Sequence, residues 1–192
     1  MNKMTKNELR QKYRALRDRF GEEFINKASN LASSNLQKTE EFKNADIVLL
    51  YHPTKNEISP LPLLDICLKM GKTVAFPVCQ KESTTLIFKK VTSLDMLSPS
   101  NFGIFEPNEE CEIIIPTEKT ICITPALLFS KDGHRLGYGK GYYDRFLKDF
   151  NGISVGFTYS ECVLDFIPNE THDIPLDMII TESEVLKIAQ KN

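Results

Sequence analysis

Four of the chain's nine glycines stand within fifteen residues, Lys131-Asp-Gly-His-Arg-Leu-Gly-Tyr-Gly-Lys-Gly-Tyr-Tyr-Asp-Arg145, at positions 133, 137, 139 and 141. An apolar run, Thr120 to Phe129, precedes this segment, and a helical pattern from Gly141 to Phe150 follows it. A glycine-rich loop between a strand and a helix aims unpaired backbone N–H groups, and the positive end of the helix dipole, at whatever the loop encloses. Phosphate is the natural guest. Arg135 would add a planar fork of donors and Lys140 a mobile point charge, while Asp144, one turn into the helix, suits a magnesium ion bridging phosphate oxygens. Two known phosphate loops do not fit. The dinucleotide fingerprint needs glycine at Tyr142 or Asp144, and the P-loop needs Ser or Thr where Gly141 stands. A turn in which Arg135 and Asp144 simply pair with each other remains open at this level.

The rest of the chain reads as strands alternating with helices. Thr5 and Glu8 form a capping box that starts a helix at Lys6. Leu9, Tyr13, Leu16 and Phe20 make its core stripe, with Lys6, Arg10, Arg14 and Arg17 on an adjacent one. Phe24, Ala28, Leu31 and Leu36 predict a second helix reaching about Lys38. Asp46 to Tyr51 is a continuous apolar run, as in a strand covered on both faces. Ser59 and Pro60 read as N-cap and first residue of a helix ending at Gly71, and Lys72 to Val78 as the next strand, closing a right-handed βαβ unit. Thr84 to Val91 predicts an antiparallel excursion, and Thr92 to Pro107 a loop. Ile113 to Ile115, Thr120 to Phe129, Ile153 to Tyr159 and Met178 to Thr181 predict further strands, and Glu182 to Gln190 a closing helix. The expected fold is one three-layer α/β/α domain over residues 1–192, a mostly parallel open sheet flanked by helices.

Charge and composition narrow the function. The formal charge is -2, with 24 basic and 26 acidic residues and 41% hydrophobic content. That balance argues against a nucleic-acid binder working by phosphate neutralisation and against an acidic disordered regulator. Seven basic and two acidic side chains lie in the first twenty residues, so the net charge there is +5 and the remainder carries -7. The longest nearly apolar runs are about half the roughly 20 residues that a bilayer requires. The basic opening has no apolar segment behind it and does not read as a secretory signal, so a cytoplasmic protein is expected. Five cysteines, 11 to 40 positions apart, offer neither a disulfide framework nor a metal knuckle. They read as small core residues, and His52, His134 and His172 lack metal-ligand spacing.

Arg135-Leu-Gly-Tyr-Gly-Lys-Gly-Tyr-Tyr-Asp144 resembles the signature of the 5-formyltetrahydrofolate cyclo-ligase family, also called methenyltetrahydrofolate synthetase. The likeness extends to Lys6-Asn-Glu-Leu-Arg10, Asn56-Glu57-Ile58, Phe105-Glu-Pro107, Pro125-Ala-Leu-Leu-Phe129 and Ile174-Pro-Leu-Asp177. It implies ATP- and magnesium-dependent closure of the N5-formyl group onto N10, with release of ADP and phosphate. It also implies site residues. ATP would be held by Lys6 to Arg10 (Lys6, Asn7, Glu8, Leu9, Arg10) and by the loop of Arg135, Leu136, Gly137, Tyr138, Gly139, Lys140, Gly141, Tyr142 and Tyr143. Arg135 and Lys140 would act in catalysis, Tyr51, Glu57, Tyr138 and Tyr142 would contact the folate, and Asp144 and Asp177 would hold magnesium. Glu57 is suited to the paired N–H donors of an aminopyrimidinone. Tyr138 departs from members that carry Arg at that position. The expected partners are small molecules, with no nucleic acid and no membrane, and the protein is expected to be a monomer. Two alternatives remain: a sugar-phosphate or CoA-ester enzyme on a similar open sheet would also want a glycine-rich anion loop but not the Lys6 and Arg10 pair, and a non-catalytic folate- or nucleic-acid-binding module would use the basic helix but leave Asp144 and Asp177 without purpose.

Overall fold

The computed structural model describes residues 4–80, 82–100, 103–170 and 173–189. His172 and Gln190 lie outside them. The chain starts as expected with α1 (Lys6–Arg17), where the Thr5 side chain accepts from the Glu8 N–H and the Glu8 carboxylate accepts from the Thr5 N–H. It continues through α2 (Glu22–Gln37), α3 (Glu40–Asn44), β1 (Ile47–Leu49), α4 (Pro62–Lys69), β2 (Thr73–Cys79) and β3 (Leu86–Lys90). Short strands β4 (Leu97–Pro99), β5 (Phe105–Pro107) and β6 (Ile113–Ile114) lead to β7 (Thr120–Thr124), β8 (Leu128–Ser130) and β9 (Arg135–Leu136). After α5 (Tyr142–Lys148) come β10 (Ile153–Phe157), β11 (Val163–Leu164), β12 (Met178–Ile180) and β13 (Val185–Lys187).

Eight strands form the central sheet in the order β13-β12-β10-β7-β1-β2-β3-β6. The five inner strands, β12 to β2, are parallel, while β13, β3 and β6 pair antiparallel at the edges. Alternate residues of each inner strand enter different cores. Val48, Val74, Phe76, Ile121, Ile123, Met178 and Ile180 pack beneath α1, α2 and α4. Leu49, Ala75 and Cys122 face Tyr142, Tyr143 and Phe146 of α5, and Ile179 joins a third cluster with Leu147. A strand covered on both faces favours apolar residues on both, which is why the segment of β1 reads as a continuous run. The chain therefore has the expected α/β architecture, a large and mostly parallel sheet with helices on both sides.

Several local expectations are corrected. Glu182 to Gln190 is not helical: Val185–Lys187 pairs with β12, and Thr181 Oγ1 accepts from the N–H groups of Ser183 and Glu184 to make the turn. Val185 and Leu186 then face different cores, a period of two that the helical reading overlooked. The run Thr120 to Phe129 is two strands, broken after Thr124 at Pro125. The helix expected from Pro60 begins two residues later, with Pro62 at its first position. Within 92–107, expected as loop, β4 pairs with β5. Leu31 and Phe24, assigned to the inner stripe of α2, are exposed, and Ser29 and Ser33 lie buried beside Ala28, Ala32 and Leu36. On α1 the third buried residue is Arg17, where the stripe had placed Leu16.

One glycine outside the loop is fixed by packing. A Cβ on Gly152 would stand 2.3 Å from the Thr120 carbonyl oxygen and 2.6 Å from Phe150 Cζ. Gly152→Ala should lower stability by about 2–3 kcal/mol, since a backbone oxygen cannot swing aside. A fall in the urea midpoint at unchanged slope is the expected result, and an unshifted midpoint would contradict it.

Candidate active site

The strand order reverses between β1 and β7. One arm of the sheet continues through β2 and the other through β10 and β12. In open parallel sheets the crevice outside the carboxyl ends of the strands at such a point is where ligands bind. A cavity of about 920 Å³ lies there. Tyr51 to Glu57 line it after β1, Pro77 and Cys79 at the end of β2, and Pro125 and Leu127 after β7. Lys6, Arg10, Arg14 and Arg17 of α1 close one side, and the segment from Arg135 to Asp144 another.

The glycine loop is ordered by its own bonds. Gly139 (φ 93°) and Gly141 (φ 67°) adopt left-handed conformations, and Gly141 is the N-cap of α5. Arg10 Nε donates to the Gly137 carbonyl at 3.0 Å, and Nη1 donates to Asn7 Oδ1 at 2.8 Å. Arg145 Nη2 donates to the Lys140 carbonyl at 2.7 Å. Lys6 Nζ reaches Glu170 at 2.9 Å and Asp173 at 3.0 Å. Partial burial works against its charge, but the hydrogen bonds it donates to the two carboxylates, with their charges, outweigh this and hold its pKa above the usual lysine value. Arg135 is buried, donating from Nη2 to Asp144 Oδ1 at 2.6 Å and from Nη1 to the Ile174 carbonyl at 3.2 Å. Burial pulls its pKa below the usual value, against the opposing charge of Asp144.

At the other end, Glu57 is 5% exposed. Its Oε2 accepts from the Thr54 N–H at 2.7 Å and Thr54 Oγ1 at 3.0 Å, and its Oε1 accepts from the Tyr138 hydroxyl at 2.5 Å. Burial, then the Glu57 charge, push the Tyr138 phenol far above its ordinary pKa. Tyr138 stands where a cation had been expected, yet the Arg14 guanidinium lies 5.9 Å from its ring centroid, so α1 brings positive charge to this point. The Tyr51 hydroxyl donates to the Ile58 carbonyl at 2.6 Å. Tyr142 packs half-buried at the head of α5, and the buried Tyr143 hydroxyl has no hydrogen-bond partner among the described residues.

Most of the residues singled out in the sequence therefore meet in one cavity. Lys6, Arg10, Tyr51, Glu57 and Arg135 through Asp144 line it. Asn7, Glu8 and Leu9 do not: Asn7 braces Arg10, Glu8 caps the helix and Leu9 is core. Asp177 lies in a different cleft, beside Leu147 and Phe150, with Oδ2 accepting from the N–H and hydroxyl of Ser154. Among the described residues no group of three His, Cys, Asp or Glu side chains forms a metal cluster. Asp144 does fit a magnesium ion held chiefly by ligand phosphates, a site that needs only one or two protein carboxylates. The sequence reading missed Arg14, Arg17, His52, Cys79 and Leu86. Arg14 and Arg17 carried a signal as members of the basic stripe; the other three carried none, because only the sheet brings them here.

Cys79, partly exposed in the cavity, is a weak nucleophile. Burial, then the nearby Glu106 carboxylate, push its thiol up to about 11. Its alkylation at pH 8 should run at about a thousandth of the thiolate rate and rise tenfold per pH unit. Mass spectrometry after iodoacetamide treatment would show this, and a rate already at its plateau by pH 8 would contradict it.

Fold and site together define an α/β protein with a cavity, rimmed by basic side chains and a glycine loop, at the switch point of a parallel sheet. The sequence profile of the 5-formyltetrahydrofolate cyclo-ligase family matches residues 2–182. The solution structure of the Aquifex aeolicus 5,10-methenyltetrahydrofolate synthetase superposes with a TM-score of 0.84 at 37% identity, covering 98% of this chain and 95% of that one. The 5-formyltetrahydrofolate cyclo-ligase of Haemophilus influenzae is 28% identical over 92% of this chain and 97% of its own, and that of Escherichia coli K12 is 30% identical over 73% and 80%. A synthetase structure from Mycoplasma pneumoniae, 23% identical with a TM-score of 0.75 over 93% of this chain and 99% of its own, shares the fold. This chain belongs to the 5-formyltetrahydrofolate cyclo-ligase family. It is an enzyme of folate one-carbon metabolism, and no helix among its described residues is long and apolar enough to cross a membrane.

Proposed function

We propose that this enzyme converts 5-formyltetrahydrofolate to 5,10-methenyltetrahydrofolate, consuming ATP and releasing ADP and phosphate. The observation that carries the reading is the division of one cavity. A basic glycine loop and the first turns of α1 lie at one end, and a buried carboxylate with no ion-pair partner among the described residues lies at the other. The first end suits a polyphosphate, the second a ring edge with paired N–H donors.

The formyl oxygen is a poor leaving group as hydroxide. Transfer of the γ-phosphoryl group to that oxygen, with ADP departing, leaves the carbon as an iminium-type centre bearing phosphate. N10 then attacks that carbon, loses its proton, and phosphate departs with the carbon–oxygen bond. The protein's share is positioning and charge screening. Lys140 and Lys6 stand where the phosphates would lie, Arg10 holds the loop through Gly137, and Gly139 and Gly141 keep the backbone free of side chains over them. Arg135 fixes Asp144 at the head of α5. Magnesium would bind at Asp144 and the ATP phosphate oxygens and supply Lewis-acid screening there. Asp177, bonded to Ser154 in its own cleft, orders the β10–β12 junction and is not placed in this site.

The decisive assay is the absorbance of the methenyl product with purified protein and 5-formyltetrahydrofolate. Product should form only when ATP and magnesium are both present, in equal amount to the ADP released. ATP-independent product, or ADP release without product, would overturn the reading.

A further inference from the structure

Arg17 differs from the other basic residues of α1. Lys6, Arg10 and Arg14 are at least partly exposed, whereas Arg17 is 4% exposed and still lines the cavity beside Tyr51, Glu57, Leu127 and Tyr138. Its Nη2 donates to the Ala126 carbonyl at 2.5 Å. Its Nε and Nη1 are buried with no hydrogen-bond acceptor, and no carboxylate among the described residues forms an ion pair with it. The groups around it are the Tyr159 ring, 5.8 Å from its guanidinium carbon, and the Cys162 thiol, a weak acceptor. Buried donors left without acceptors are rare in folded proteins and call for a reason.

Glu57 supplies that reason. Its ionised carboxylate can only accept hydrogen bonds, and a guanidinium can only donate them. Arg17 and Glu57 line the same cavity. An acceptor and a donor lining one cavity complement a ring edge on which N–H donors adjoin a carbonyl oxygen, the edge of an aminopyrimidinone. The Tyr138 hydroxyl now occupies Glu57 Oε1. It is a single donor standing where the ring's N–H groups would come.

We propose that Arg17 reads the ring carbonyl of the folate, its Nε and Nη1 donating to the 4-oxo oxygen next to the N–H edge that Glu57 accepts. The assignment rests on the folate reading of the site. Arrival of the ring displaces the Tyr138 hydroxyl from Glu57 and gives the two idle donors their acceptor. It follows that the site discriminates against a ring bearing an amino group at position 4, which would turn donors toward the guanidinium.

Calorimetric titration without ATP tests this with 5-formyltetrahydrofolate and its 4-amino analogue. The parent enzyme should prefer the 4-oxo ring by about tenfold or more, because a buried donor left unpaired penalises the wrong ligand. Arg17→Met should weaken the 4-oxo ligand by about ten- to hundredfold, change the 4-amino ligand by less than about threefold, and so erase the preference. Arg17→Lys, which keeps charge and a donor, should restore part of it. ATP affinity should not change in either variant. Equal affinity of the parent for both rings, or equal losses for both in Arg17→Lys, would overturn the assignment while leaving a folate site. Failure of the parent to bind either ring would overturn the folate reading and this assignment with it. Arg17→Lys decides even if Arg17→Met does not fold, because a 4-oxo to 4-amino ratio unchanged from the parent in that variant would leave the discrimination with Glu57 and overturn the assignment.

Discussion

Glu57→Gln should abolish tight folate binding while leaving ATP affinity unchanged. The substitution preserves shape but turns one acceptor into a donor, in a pocket where Thr54 and Tyr138 already present donors to both oxygens. A bound ring would then meet a donor with a donor, away from water. Each charge-assisted bond lost weakens binding by about 1.5–3 kcal/mol, so two together amount to a hundredfold or more in dissociation constant. Calorimetry with each substrate separately is the measurement, and unfolding midpoints show whether the Thr54 turn survives. A folate dissociation constant within twofold of the parent, in a folded variant, would remove Glu57 from the site.

Lys6→Ala combined with Arg10→Ala should reduce magnesium-ATP turnover by two orders of magnitude or more. The two side chains act in different ways. Lys6 contributes charge, held in place by Glu170 and Asp173. Arg10 contributes shape, because its Nε bond to the Gly137 carbonyl sets the height of the loop. Loss of a positioned charge costs about 1.5–3 kcal/mol, and a loop misplaced by an ångström can cost about as much again. Lys12→Ala is the control on the same helix, since Lys12 is exposed and lies outside the cavity. Equal turnover in the double variant and the control would show that the basic face is diffuse and the nucleotide lies elsewhere. Arg14→Ala with Arg17→Ala does not serve as that control, although the helical stripe alone would suggest it, because both line the cavity.

The sequence made legible those parts of the fold in which local chemistry and burial agree. The Thr5–Glu8 box sets the start of α1 to the residue, and the unbroken apolar run from Ile47 to Leu50 marked β1 because both faces of an inner strand are covered. It misled where an edge or a neighbour decides. Residues 182–190 are long enough for a helix, and only pairing with β12 makes Val185–Lys187 a strand. Pro125 sits inside an otherwise continuous run, and the strand ends before it. Half of the site was visible for the same reason: a glycine loop with flanking cations is a local pattern. Cys79 and Leu86 reach the cavity through strand order, and the sequence gives no hint of it. Arg17 was visible as a charge but not as a buried one, since a helical stripe does not say how deep it lies.

The way α1 is used has a consequence for how the enzyme loses activity. Leu9 and Tyr13 on this one helix seal the core over the sheet, while Lys6, Arg10, Arg14 and Arg17 face the cavity. Local opening of a single helix requires less free energy than global unfolding. If α1 lifts, the loop loses the Arg10 bond at the same moment, so under the proposed function opening of α1 and departure of the nucleotide are coupled events. A ligand that holds the loop closed must, by linkage, also slow hydrogen exchange along α1. Heat inactivation can then precede melting of the sheet, with the chain still largely folded and its catalytic constellation already dispersed.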